Sequence, residues 1–437
     1  MRLVYLSILL TSSIFAAGCG GSAAINSGSS PVTTAGSSSN VLAISVNGGP
    51  VANQPGGSFV QNAAFATATV CAPGNASKCV TIDGLLVDTG ATGLRVFDTE
   101  VAPLNLPALN ASNGSPAYDC VSYPDGSYQW GAVQQADVTL GGEIASKLPI
   151  HVISSSGTGV PTSCSNGGSA NENTASLLGA KGILGVGFEP TDCFLDGASI
   201  CDPAYGLTTP PTPAYYSCSG STCNPAFVAK ANQVTNPVVL FPKDNNGFIV
   251  ELPAATTPAA SLTGSLIFGV GTQSNNQLPA SATIFTMACD AFTTVFNGQN
   301  FGFTDATNCK GPSSAIDSGV NAIYFPNVAN IPVCSASTSA GDLSGVYCPT
   351  ATQSLSATFK GENGKTKSTS FNVANGESLL ANTANASNAV LPGLAGTNPA
   401  GSGFVWGLTF FYGKNIYSSI DGQAAPTGAP PAPWWAY

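Results

Sequence analysis

Charge is scarce in this chain. Of 437 residues only 12 are Lys or Arg and 22 are Asp or Glu, 8% of the total, where ordinary soluble domains carry roughly 25%. Too few ion pairs remain to lace long exposed helices, and no stretch sustains a 3.6-residue apolar period over many turns. The formal charge is −10 and basic runs are missing, so nucleic-acid binding has no source of phosphate neutralisation. Histidine is almost absent: His151 is the single one. A zinc site with two imidazoles is thereby excluded, and a Ser-His-Asp triad has one possible base. His151 falls within 148–153, an alternating segment that reads as a strand, where a surface or hydrogen-bonded imidazole is the simpler role. Carboxylates remain as the acid–base groups.

Turn formers are plentiful. Gly 50 and Pro 31, with many Thr, Ser, Val and Asn, suit short strands joined by tight turns, and the chain is expected to be all-β. Its length allows two or three average domains or one large bilobal one. Val41–Val46 and Ala64–Val70 alternate apolar and small polar residues, the period of a half-buried strand. Short helices are expected within 226–234 and 376–388. Residues 155–178 and 190–225 read as long loops pinned by disulfides.

Residues 1–19 form a short basic start at Arg2, an apolar run from Leu3 to Ala17, then Gly18-Cys19. The run is too short to span a bilayer and reads as an export signal. Its end, Ala16-Ala17-Gly18-Cys19, resembles a bacterial lipobox, which implies an acylated N-terminus at Cys19 and a lipid as the one membrane contact. Gly20 in place of Asp points to the outer membrane of a cell envelope. The Gly/Ser-rich stretch 20–40 reads as a flexible tether. With Cys19 set aside, the 13 cysteines leave an even number, as an oxidising compartment favours. Proximity suggests Cys71 with Cys79, Cys193 with Cys201, Cys218 with Cys223, Cys289 with Cys309 and Cys334 with Cys348, leaving Cys120 and Cys164. Sequence alone leaves the connectivity open. No pair has the two-residue spacing of a metal site, and neither metal nor cofactor is expected.

An internal repeat carries the chemistry. The run 85–92 ends its apolar lead-in with Asp88-Thr89-Gly90, and 314–321 holds a weaker copy, Asp317-Ser318-Gly319. Each is followed about a hundred residues on by an apolar segment ending in Gly, at 182–185 and at 404–407. Two related halves are expected, 41–235 and 236–437. In such a turn Gly permits close approach of the partner loop, and the hydroxyls of Thr89 and Ser318 are placed to lock the two loops together. Two carboxylates that meet there cannot both ionise, so the pair supplies one acid and one base to a shared water.

This arrangement resembles the pepsin-type aspartic proteases over roughly residues 42–425. The resemblance extends to Tyr123-Pro124-Asp125-Gly126-Ser127, which matches that family's flap, to 182–187 in the first half, and to 264–269 and 404–421 in the second. The layout is also similar to that of a group of proteobacterial lipoproteins of unassigned function. The resemblance implies a bilobal fold of two pseudo-symmetric β-barrel-like lobes about a cleft. It implies Asp88 and Asp317 as the dyad, Thr89, Gly90, Ser318 and Gly319 as supporting turns, and Tyr123 and Gly126 in the flap. It also implies an extended peptide or protein substrate, and a monomer is expected. Ala91 and Val320 depart from the pattern where the family often places hydroxyl donors, Arg95 replaces a tryptophan beside the flap, and Trp406-Gly407-Leu408 lacks the usual Gly-Asp. Loss of the outer donors disfavours ionisation and predicts an optimum nearer neutral than strongly acidic. Two other readings remain open: a catalytically silent binding protein for a peptide or glycan on the same fold, and an unrelated β-rich surface lipoprotein. The space ahead of Asp88 is too short for an inhibitory segment, and no role is assigned to Trp434 and Trp435.

Overall fold

The computed structural model describes residues 39–437 apart from 53, 55–56, 58, 124–125, 166–170, 196, 221, 308, 336–342, 381–386 and 399–401. The export signal, Cys19 and nearly all of the tether lie outside the described residues, as do Pro124 and Asp125 of the flap motif.

The first half opens with β1 (Val41–Val46), β2 (Ala64–Cys71), β3 (Cys79–Asp88), β4 (Thr92–Phe97), β5 (Ala117–Ser122), β6 (Tyr128–Leu140), β7 (Glu143–Ile153) and β8 (Gly182–Val186). The alternation expected of the first two is realised, with Leu42, Ile44 and Val46 buried on one face of β1. Pairing runs β2-β3-β8-β4-β7-β6, and β6 returns to β2 through Thr69 opposite Thr139, which closes a barrel around Val70, Leu85, Val96, Val138 and Ile150. Closure removes exposed sheet edges. A ribbon follows, β9 (Phe194–Leu195) with β10 (Ala198–Ser199), then a hairpin of β11 (Tyr215–Ser219) and β12 (Thr222–Pro225) that extends β5.

The second half contributes β13 (Gly247–Leu252), β14 (Leu262–Phe268), β15 (Ile284–Thr286), β16 (Thr293–Phe296), β17 (Gln299–Phe301), β18 (Ala315–Ile316), β19 (Ile323–Phe325), β20 (Gln353–Lys360), β21 (Thr366–Val373), β22 (Ala395–Thr397), β23 (Val405–Trp406), β24 (Lys414–Ser419) and β25 (Trp434–Ala436). Six antiparallel strands in the order β1-β14-β13-β24-β25-β15 form a seam shared by both halves. Trp434 and Trp435 are buried in it, Trp435 stacking on Tyr437 and packing against Phe285 and Phe359. The tryptophans are therefore packing residues of the seam.

The repeat seen in the sequence is a repeat of topology. In the first half β3 runs parallel to β8, β8 antiparallel to β4, and β4 parallel to β7. In the second half β18, β23, β19 and β22 repeat that order and those directions. Each copy sets its Asp-hydroxyl-Gly turn at the end of the leading strand. Gly185 and Gly407 hold equivalent places where the chain passes close behind the turn: a Cβ on Gly185 would lie 2.8 Å from the backbone of Ala91 and Thr92, and one on Gly407 would lie 2.5 Å from the Val320 carbonyl oxygen. The all-β, bilobal architecture is thus established.

Two expectations fail. The stretch 190–225 is not all loop, since β11 within it joins the main sheet beside β5 and buries Tyr215 and Tyr216. Within 226–234 only a 3-10 turn, Lys230–Asn232, forms. Gln233 is buried there, its amide donating to the Val228 carbonyl at 2.7 Å and accepting from the Thr191 and Ser199 hydroxyls. Those side-chain bonds compete with helical pairing. The second expected helix is present over Gly376–Leu380.

Candidate active site

The two repeated turns meet face to face. Thr89 Oγ1 accepts the Ser318 N–H at 2.9 Å, and Ser318 Oγ accepts the Thr89 N–H at 3.2 Å. Each hydroxyl donates in turn to the strand that carries the opposite aspartate, Ser318 Oγ to the Val87 carbonyl at 2.8 Å and Thr89 Oγ1 to that of Ile316 at 3.5 Å. The expected lock therefore exists, and it is reciprocal and buried. Four groups that would otherwise lie buried and unpaired satisfy one another across 229 positions of sequence.

That lock brings the Asp88 and Asp317 carboxyls within hydrogen-bond reach of each other. Gly90 N–H donates to Asp88 Oδ1 at 2.8 Å, and Gly319 N–H donates to Asp317 Oδ1 at 2.8 Å, the same bond in each copy. Glycine is required at both places by contact: a Cβ on Gly319 would sit 2.5 Å from Asp88 Cγ, and one on Gly90 would collide with the Asp317 carboxyl. The environments of the two carboxyls differ. Asp317 is 6% exposed, whereas Asp88 is only partly buried. Burial, followed by the charge of Asp88, pushes Asp317 well above the usual carboxylate range. Burial also raises Asp88, opposed by its hydrogen bond with Asp317 and by the N–H groups of Gly90 and Ala91. Both shifts point upward, the stronger at the more buried Asp317, as expected of two carboxyls that hold one proton between them. Ala91 and Val320 bring no side-chain donors, in keeping with the upward direction of both shifts.

A cleft opens on both sides of the pair. One side is a largely apolar pocket that Asp88 and Tyr123 border with Leu86, Leu178, Ile183 and Tyr324. The other side reaches both carboxyls and is bordered by Arg95, Val121, Phe188, Phe303 and Ile316. The space above the pair is open, not plugged by protein. Tyr123 lies at the tip of the β5–β6 hairpin, whose closing bonds run from Tyr123 N–H to the Ser127 carbonyl and from Gly126 N–H to the Tyr123 carbonyl, at 2.8 and 2.9 Å. Its hydroxyl donates to Gln129 Oε1 at 3.0 Å, and burial raises its pKa well above that of free tyrosine. Tyr123 is a cleft residue rather than a plain turn aromatic.

Sequence reasoning missed the companions of Arg95. Its guanidinium is 3% exposed and donates to Asp119 on β5, to Asp192 beyond β8 at 3.0 Å, and toward His151 Nδ1 on β7 at 2.8 Å. Tyr215 donates its hydroxyl to the same Asp192. The lone histidine is thus buried, and burial followed by the Arg95 charge holds it neutral. Its Nδ1 serves as an acceptor from Arg95 in this cluster.

All six disulfides join the cysteines that proximity had matched, including Cys120 with Cys164. Among the described residues no group of three or more His, Cys, Asp or Glu is arranged to hold a metal, and no helix is long and apolar enough to cross a membrane.

Comparison with known proteins adds three findings. A family model described as "Protein of unknown function (DUF3443)" matches residues 36–437. No curated protein matches the sequence. Among solved structures, the aspartic proteinase from Irpex lacteus is similar over 87% of this chain and 94% of its own, at 16% identity and a TM-score of 0.42.

Proposed function

We propose, for a chain that belongs to the family described as "Protein of unknown function (DUF3443)", that it is an exported, lipid-anchored aspartic endopeptidase. The observation that carries this reading is the face-to-face pair, Asp88 and Asp317, held by a reciprocal hydroxyl lock at the floor of an open cleft. The anchor rests on Cys19 and its lead-in alone.

Chemistry follows from the unequal environments. Asp88, ionised and facing the cleft, takes a proton from a water held between the carboxyls as that water's oxygen attacks the peptide carbonyl carbon. Asp317 gives its proton to the carbonyl oxygen, where negative charge would otherwise build up. The tetrahedral diol then collapses: the proton taken up by Asp88 passes to the amide nitrogen, the C–N bond breaks, and a diol proton returns to Asp317. Tyr123 closes over the substrate, and the strands under the flap offer backbone pairing to an extended peptide.

Replacing Asp88 by Asn removes the base, and replacing Asp317 by Asn removes the acid. Each variant is expected to lose cleavage of a denatured-protein or peptide library by about a thousandfold or more, while a binding groove would keep its affinity. Cleavage is expected to peak nearer neutral pH than strongly acidic pH, since both carboxyls are shifted upward. A wild-type chain that cuts nothing over about pH 3–8, the range that plausible dyad ionisation covers, would leave the cleft as a peptide- or glycan-binding groove and end the hydrolase reading.

A further inference from the structure

The Arg95 cluster is the largest buried ionic arrangement among the described residues and has no part in the chemistry above. Stability alone gives it little purpose, because well-packed apolar residues generally replace a buried ion cluster at no cost or at a gain. Its placement is specific. Arg95 stands on β4, seven positions beyond Asp88, and its two nitrogens divide between Asp119 on the first flap strand and Asp192 on the chain leaving β8. Tyr215, directly opposite Asp119 in the β5–β11 pairing, fastens Asp192 from the other side and accepts the Val234 N–H at 2.7 Å. The hairpin that ends in Tyr123 is therefore held at its base to three separate segments of the barrel.

We infer that Arg95 is a positioning residue for the proposed reaction: its guanidinium fixes the flap base through Asp119 and Asp192, and its charge borders the same side of the cleft as Asp88. The kinetic part of this inference rests on the hydrolase reading; the flap and charge parts do not. The charged or titratable groups around Asp88 are Asp317 from the second turn, Arg95 from β4 and Tyr123 from the flap, with Glu189 and Asp290 lining the same side of the cleft, Asp119, Asp192, His151 and Tyr215 behind Arg95, and Glu172 beside Tyr123. Of these, Arg95 is the cation acting on Asp88, and it favours the ionised form that the base must have.

Two variants separate the fork from the charge. Arg95→Lys keeps the positive charge but loses the two-pronged geometry. In it, hydrogen exchange of the amides in 118–123 is expected to speed up tenfold or more, while the lower dyad ionisation, followed by carboxyl 13C NMR, stays at its wild-type pH. Arg95→Gln removes the charge, and the lower ionisation is expected to move to higher pH. In turnover, the Lys variant raises KM more than it lowers kcat, and the Gln variant moves the acidic limb of the pH profile upward. Wild-type exchange in the Lys variant overturns the positioning role even if the Gln variant fails to fold. A folded Gln variant with an unmoved titration overturns the charge role. A wild-type chain without cleavage ends the hydrolase reading and leaves these two measurements to decide this one.

Discussion

Asp317 pays for its position in the fold. A carboxyl whose folded-state pKa is raised favours the folded state while it is protonated, and that contribution is lost as pH rises through the folded-state value. Asp317 is raised well above the ordinary range by burial and by Asp88, so at neutral pH it is a strained group. Asp317→Asn, which copies the protonated shape, is expected to melt a few degrees above wild type at pH 7, with the difference fading toward about pH 3.5, where folded and unfolded carboxyls both hold protons. Calorimetry across that range checks the sign. A variant that melts lower at neutral pH would show that the Asp317 charge is welcome in the fold. Both aspartates were legible in the sequence because Asp-hydroxyl-Gly is a local signature repeated in order. The Arg95 cluster was not, since its partners stand 24 and 97 positions away and no local pattern marks them. Arg95 was visible only as a departure from a resemblance.

Single elements show where pattern reading works. β1 and β2 were found to within a residue because one face is buried and one is not, so alternation survives in the sequence. The very short strands of the second half, such as β18 and β23, have no room for alternation. They were located through the repeat instead, as lead-ins to Asp317 and Gly407. The expected helix over 226–234 failed because the buried amide of Gln233 takes the backbone's partners, which no local propensity encodes. The lock between the two turns makes its own prediction. Thr89→Val removes an acceptor and leaves the buried Ser318 N–H unpaired; Ser318→Ala does the same to the Thr89 N–H. Each is expected to cost about 1–3 kcal/mol in urea unfolding. The double variant should cost less than the sum, because one interface is lost once. Additive losses would mean that the hydroxyls act independently.

On the scale of the whole molecule, every disulfide among the described residues stays within one half, and none of them crosses from residues before 236 to residues after it. The halves are joined by the shared seam, by the hydroxyl lock, and by Asn62, which pairs in both directions with Leu391 and accepts from the Tyr412 hydroxyl at 2.7 Å. The longest covalent loop, Cys120–Cys164, ties the first flap strand to the helical turn Thr162–Ser165. Its removal as Cys120→Ser with Cys164→Ser is expected to lower stability by about 2–4 kcal/mol, from the unfolded-chain entropy that a loop of this size withholds. Urea unfolding under non-reducing conditions measures it, and an unchanged midpoint would refute the expectation. The six pairings were legible because small half-local loops favour near neighbours, whereas the bonds between halves rest on contacts that only the folded topology creates.

The seam also dictates an order of assembly. Its first strand lies at Val41–Val46 and its last at Trp434–Ala436, so β15 has no sheet partner, and β24 only β13, until Trp434–Ala436 is in place. Each barrel-like half can mature on its own timetable behind its own cross-links. Without Trp434–Ala436, β15 and one edge of β24 would stand bare and open to pairing with another chain, so this three-residue strand latches the seam.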